Sequence, residues 1–207
     1  MSLNKTIFEI VKESIMSTAL NVKGYLDTLP SEIQDFLFQD LDRWIKITGY
    51  KGEDHFVYMY KTRQEFRSLL LYRARIAQRL FEIDNDIVAK ITKLHKGAEH
   101  AWVKSLFISC GDIGPGFYIE HGFSTIIFAK SIGKNFHVNQ NVTIGTGKGG
   151  HPTIADSVKV GANSVIIGDI YVPNGVTIGA GAVLNFDVPP GSTVVSQKAR
   201  VLEANRR

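Results

Sequence analysis

Between Ile154 and Leu184 an aliphatic side chain returns at every sixth position: Ile154, Val160, Ile166, Val172, Ile178 and Leu184. Four residues after each of these stand Val158, Ser164, Ile170, Val176, Ala182 and Val188, mostly small or branched. An amphipathic helix repeats near 3.6 residues and a strand at 2, so a sustained step of six predicts a coil of short strands. Each hexapeptide then forms one flat face and three close a turn, with the first-phase aliphatics pointing inward and stacking on their counterparts one coil away. Gly161, Gly168, Asn174, Gly175, Gly179 and Gly181 fall at or near the predicted corners, where tight turns favour residues that accept positive φ.

The same step is visible earlier in the chain. Ile113 and Ile119 are six apart, with Phe117 and Phe123 at the second phase; the register slips by one, and Ile132, Val138 and Ile144 resume it. The stretch GTGKGGHPT then adds about four residues before Ile154, an insertion that a corner can project outward.

Upstream of Gly97 the periodicity is helical. Ile7, Ile10, Val11, Ser14, Ile15 and Ala19 share one side of a helix predicted over residues 4–26. A second helix opens at Pro30 and Ser31, with Ser31 as candidate N-cap, buries Ile33, Phe36, Leu37, Leu41, Trp44 and Ile45, and stops at Gly49. Residues 52–60 give no decided pattern. A third helix, over residues 62–81, carries the stripe Phe66, Leu69, Leu70, Arg73, Ile76, Ala77 and Leu80, and a fourth follows Asp84 through Ile87, Val88, Ile91 and Leu94. The chain thus reads as a mainly β repeat domain preceded by an α-helical N-terminal domain. The expected divisions are residues 1–100 for the helices, 101–195 for the coil and 196–207 for a short C-terminal tail.

Composition narrows the class of function. With 44% hydrophobic and 21% charged residues in 207, the chain is ordinary for a globular protein that buries a core. A net charge of +4 suits an anionic ligand such as a phosphorylated cofactor and is too slight to argue for nucleic acid. One cysteine, Cys110, excludes an intrachain disulfide and multi-cysteine metal sites and fits a reducing compartment. No apolar run approaches the roughly 18 residues of a membrane span. Lys5, Glu9, Lys12 and Glu13 interrupt the apolar pattern at the N-terminus, which reads as an amphipathic helix rather than a secretory signal, so the cytoplasm is the expected location.

IG-x-N at 132–135, VTIGTGKGGHP at 142–152, VGANSVIIGDI at 160–170 and IGAGAVLNFDVPPGS at 178–192 together resemble hexapeptide-repeat acyltransferases, most closely the serine acetyltransferases. EFRSLLLYR at 65–73 is similar to the last long helix of that family's helical region, so the resemblance spans the chain. It implies a left-handed parallel β-helix, a homotrimer with each site between neighbouring subunits, and acetyl-CoA as donor without a metal. Whether trimers pair through the helical region is left open. Because the chain ends at Arg207, without the family's long tail and its terminal isoleucine, the complex with the cysteine-synthesis partner is not expected.

Moving an acetyl group from a thioester to a hydroxyl requires a base for the hydroxyl proton, and neutral histidine suits that task near pH 7. The candidates are His55, His95, His100, His121, His137 and His151. The resemblance makes His121, in YIEHGFST, the general base, and puts Glu120 where the family has an aspartate that helps hold the substrate amine. It makes His151, in GGHPT, a second histidine that contacts substrate from a glycine-rich loop. Gly150 stands at the substrate where the family carries a carboxylate-binding arginine, and Leu106 where it carries the aspartate that orients the base. A backbone carbonyl can take over that orienting task, and Glu53 and Asp54 are the carboxylates of the helical region that can approach it. Gly145, Ala162, Gly179, Ala180 and Gly181 are the expected lining of the cofactor groove, with Lys198 and Arg200 at its phosphates.

Other chemistries are weaker. Gly145, Gly147 and Gly150 match G-x-G-x-x-G, but that pattern signals a dinucleotide only between a strand and a helix. An acyl-Cys110 intermediate lacks a flanking histidine, and His121, His137 and His151 lack the spacing of a metal triad. The expected activity is acetyl-CoA-dependent O-acetylation of a small hydroxylated acceptor, with L-serine foremost. The alternatives are a sugar O-acetyltransferase of polysaccharide synthesis and a non-catalytic hexapeptide scaffold.

Overall fold

The computed structural model describes residues 16–82, 86–94 and 103–198. Helix α1 runs over residues 16–26; α2 (Ser31–Thr48), α3 (His55–Thr62), α4 (Gln64–Phe81) and α5 (Asp86–Leu94) follow. Ala19 on α1 is buried, and the other apolar positions expected on that helix, from Ile7 to Ile15, lie outside the described residues. Helix α2 buries Ile33 and Trp44 and ends on Gly49, whose φ of 69° returns its N–H to the Ile45 carbonyl. Ser31 is not the cap that its residue type suggested: Pro30 occupies that position, and the Ser31 hydroxyl turns to Glu32.

The undecided stretch becomes α3, started by the Asp54 carboxylate, which accepts the Val57 N–H at 3.0 Å. Asp54 is thereby engaged in capping rather than in orienting a base. The helix expected from Thr62 is interrupted at Arg63, whose extended backbone (φ −125°, ψ 102°) separates α3 from α4. Phe66, Leu69, Leu70, Arg73 and Ala77 of the stripe are buried on α4, whereas Leu80 is exposed.

From Leu106 onward the strands are two or three residues long. The first coil holds β1 (Leu106–Ile108) and β2 (Tyr118–Ile119), and the second β3 (Thr125–Ile127), β4 (Ser131–Ile132) and β5 (His137–Val138). The third holds β6 (Thr143–Gly145), β7 (Thr153–Ile154) and β8 (Lys159–Val160), and the fourth β9 (Val165–Ile167), β10 (Tyr171–Val172) and β11 (Thr177–Ile178). A fifth contributes β12 (Val183–Leu184) and β13 (Thr193–Val194). Every pairing is parallel and joins equivalent strands of successive coils, giving a three-sided left-handed β-helix of about five turns. The first face is β1-β3-β6-β9-β12, the second β4-β7-β10, and the third β2-β5-β8-β11-β13.

The core of the prism is the six-residue ladder. Ile154, Val160, Ile166, Val172, Ile178 and Leu184 are each at most 1% exposed, as are Ile113, Ile119, Val138 and Ile144. At roughly 1.5–3 kcal/mol for each fully buried aliphatic, this column is a principal source of the coil's stability. Corners are turned by left-handed backbone: Asn135, Ser157 and Gly175 have φ of 57°, 59° and 71° at the same corner of successive coils.

The helical region closes the first coil. Arg73, 1% exposed, donates to Asp40 through Nε at 2.8 Å and Nη2 at 3.1 Å. The same guanidinium donates to the carbonyls of Ile113 and Gly114, while Asp40 Oδ1 accepts the N–H groups of Gly116 and Phe117. Trp44 Nε1 adds a bond to the Phe117 carbonyl at 2.9 Å. The end of the β-helix, with backbone groups that need partners, is thus met by side chains from α2 and α4.

Candidate active site

Among the described residues the repeat is lengthened at two places, and each holds one of the two candidate histidines. Passing from the third face to the first takes six residues from His137 to Thr143, from Lys159 to Val165 and from Thr177 to Val183, but eight from Tyr118 to Ile126. The two additional residues make the turn at 120–124, with φ of 64° at His121, 44° at Gly122 and 52° at Ser124. At the next corner Thr143 to Thr153 takes ten residues where Val165 to Tyr171 takes six, and this longer loop ends in Gly150 and His151. The one-residue slip in the sequence is the net of the first insertion and a short step of five from Ile126 to Ser131.

His121 stands at a cleft of about 320 Å³ between the helical region and the first coil. Trp44 and Thr48 of α2 form one wall, Arg63 and Glu65 at the α3–α4 junction another, and Tyr118 and Glu120 the floor. Trp44 packs on Tyr118 with ring centroids 4.6 Å apart, which fixes α2 over the third face at this point. The His121 imidazole is exposed, and no hydrogen bond holds it among the described residues.

Glu120 is engaged more closely with a histidine that sequence reasoning gave no role. Its Oε2 lies 2.9 Å from His137 Nε2 and 3.2 Å from Asn139 Nδ2. With Nε2 protonated the ring donates to the carboxylate, which fixes the tautomer. Burial pushes the His137 pKa below its ordinary value, and Glu120 offsets that only in part. The neutral ring therefore prevails near pH 7. The Tyr118 phenol is pushed up, first by burial and then by the Glu120 charge.

His151 is held at the other interrupted corner. Its Nδ1 is 3.0 Å from Thr146 Oγ1, and its ring lies against Phe128 with centroids 4.0 Å apart. Gly147 and Gly150 bridge each other, and Gly150 has φ of 141°, a conformation that glycine adopts without strain. Gly145, at the end of β6, belongs to this corner too. Within one chain His121 and His151 flank opposite edges of the first face and are not brought together.

The expected cofactor residues divide accordingly. Ala162, Gly179, Ala180 and Gly181 lie between the third and first faces on successive coils, the corner that carries His121. The Ser196 hydroxyl bonds to the Ala180 carbonyl at 3.4 Å, so the segment leading to the exposed Lys198 starts beside this corner. A Cβ on Gly179 would meet the Val194 carbonyl oxygen at 3.0 Å, so close packing between coils asks for glycine there whatever binds outside. Ala162 is half-buried and Ala180 exposed at this corner. Arg200, His95 and His100 lie outside the described residues.

Cys110 is buried and its thiol is pushed up by that burial, the opposite of an activated nucleophile. Among the described residues no His, Cys, Asp or Glu cluster could hold a metal, and no helix is long and apolar enough to cross a membrane.

No family model matches the chain. Over 143 residues it is 36% identical to serine acetyltransferase 3, mitochondrial, of Arabidopsis thaliana, covering 66% of this chain and 36% of that protein. Over 99 residues it is 40% identical to a serine acetyltransferase of Helicobacter pylori, covering 45% of this chain and 58% of the relative. The chain therefore spans between about a third and three fifths of these relatives' lengths. Among solved structures, Entamoeba histolytica serine acetyltransferase isoform 3 in complex with cysteine matches at a TM-score of 0.63 and 21% identity, over 84% of this chain and 62% of that one. Neisseria gonorrhoeae serine acetyltransferase in complex with serine matches at 0.60 and 22%, over 95% and 75%. These two likenesses are of fold. In sequence and architecture the chain is serine acetyltransferase-like.

Proposed function

We propose that this protein transfers an acetyl group from acetyl-CoA to the hydroxyl of a small acceptor, with L-serine as the leading acceptor. The observation that carries the reading is the position of His121: an exposed imidazole on a two-residue insertion, at the mouth of a cleft sized for a small molecule. Neutral His121 takes the hydroxyl proton as that oxygen attacks the thioester carbonyl, and returns it to the departing thiolate. Glu120, held by His137 and Asn139, presents negative charge to an acceptor amine. His151, from the second insertion, positions the acceptor.

The site is completed between subunits. On the outside of the first face, between the two histidine corners, Phe107, Ile126 and Val183 are 63%, 47% and 57% exposed. Phe107 and Ile126 are direct partners in the sheet, so the apolar surface is continuous there. Packing these faces around a threefold axis brings the His121 corner of one subunit to the His151 corner of the next. Acetyl-CoA would lie along the shared edge, with Ala162, Gly179, Ala180 and Gly181 against its arm, Gly145 across from them, and Lys198 and Arg200 at its phosphates. The single cysteine, Cys110, is buried, which suits the reducing conditions of the cytoplasm.

Thiol release from acetyl-CoA by the purified protein, measured with L-serine, homoserine and a panel of sugars, tests the reading. Acceleration by serine supports it. Acceleration by sugars alone moves the acceptor to polysaccharide building blocks, and no acceleration by any acceptor leaves a scaffold.

A further inference from the structure

The cleft at His121 contains a cation that has no side-chain partner among the described residues. Arg63 is the single extended residue between α3 and α4, and its side chain lines the cleft beside Glu65, Tyr118 and Glu120. Its Nε is buried and makes no hydrogen bond, and its guanidinium enters no ion pair among the described residues. Glu120, the carboxylate on the cleft floor, directs Oε2 to His137 and Asn139 instead. A buried Nε left in this state costs stability, because that donor has given up water without gaining an acceptor.

We infer that Arg63 is the specificity residue for the acceptor, binding a carboxylate that the acceptor carries next to its reactive hydroxyl. A guanidinium presents a planar fork of donors that matches a carboxylate through two parallel bonds. With Arg63 on the anionic group and Glu65 and Glu120 available to an ammonium, the cleft is complementary to a small zwitterion whose hydroxyl meets His121. A neutral sugar would leave Arg63 unpaired. The charge comes from the junction of two helices, while the loop before His151 offers only Gly150. This inference rests on the acyl-transfer reading for the role of His121 but not for the binding itself.

Calorimetric titration of the full chain with L-serine and with serinamide, which lacks the carboxylate charge, tests it without requiring turnover. The unmodified protein is expected to bind serine about ten- to a hundredfold more tightly than serinamide, and Arg63→Gln to abolish that preference. Arg63→Gln is also expected to melt no lower than the unmodified protein, since the buried Nε it removes is unsatisfied in the free state. Equal loss of both ligands in Arg63→Gln, or a lowered melting temperature, would give Arg63 a structural role and overturn the assignment. Failure of the unmodified protein to prefer serine overturns it as well. Retained serine binding with no thiol release from acetyl-CoA would instead sink the acyl-transfer reading and leave Arg63 as a carboxylate site.

Discussion

Glu120 and His137 meet at 2.9 Å across the first two coils, and burial keeps the histidine neutral despite the carboxylate beside it. Arg43 and Lys159 also face this ring and disfavour its protonation. A histidine whose folded pKa is depressed binds its proton less readily than in the unfolded chain, where the value is about 6.5. The unfolded state then holds more protons just below that pH, so stability falls as pH drops through about 6.5 and levels off below the folded pKa. Urea midpoints between about pH 8 and pH 5 should show this slope, and His137→Gln, which retains a donor for Glu120, should flatten it. An unchanged slope in the variant would place the titration elsewhere.

His121→Asn should leave assembly intact and lower turnover by about 10²–10⁴, the usual worth of a general base. Sedimentation together with steady-state rates separates the two effects. An unimpaired variant removes His121 from the mechanism.

The Arg73–Asp40 pair is expected to behave unlike an isolated buried salt bridge. Asp40→Ala should destabilise by about 3–5 kcal/mol, because it strands a buried guanidinium. Replacing both residues with apolar ones should not restore stability. The Ile113 and Gly114 carbonyls and the Gly116 and Phe117 N–H groups would all lose their partners. Chemical denaturation of the two single variants and the double variant checks this. A double variant as stable as the parent would show that the charge pair, not the backbone it holds, is what matters.

Gly150→Arg is expected to cost about 1–3 kcal/mol, since φ of 141° is a conformation that residues with a Cβ rarely adopt. The measurement is the melting temperature. An undisturbed melt would mean that the loop readjusts without strain.

Ala180→Phe, on an exposed corner, should leave melting unchanged and raise KM for acetyl-CoA about tenfold, equivalent to about 1.4 kcal/mol of lost binding, with KM for the acceptor unaffected. A higher KM for the acceptor alone would move the cofactor off this corner.

The ladder from Ile154 was legible because an inward-facing position in a regular coil recurs at a fixed step, whatever its neighbours do. The corners were legible from glycine and asparagine for the same reason. Helix α3 was not, because eight residues dominated by aromatics and started by an aspartate cap carry little helical periodicity. The break at Arg63 left no mark, since arginine is a good helix former and the interruption is a single extended residue. The Glu120–His137–Asn139 network was hidden in the register: Tyr118 pairs with His137 only because the corner between them is enlarged, and a strict step of 18 would set a different residue opposite. Arg73 follows an apolar stripe by spacing, but its partners are the distant Asp40 carboxylate and the Ile113 and Gly114 carbonyls, which a sequence does not display.

The two interrupted corners separate what shapes the molecule from what equips it. Shape comes from repetition, and it tolerates length changes wherever a corner can bulge. Equipment comes from those bulges, each supplying one histidine on a backbone the repeat would not otherwise produce. Trimming both 120–124 and the loop that ends in His151 to the standard spacing would remove the two histidine corners and leave the buried ladder untouched.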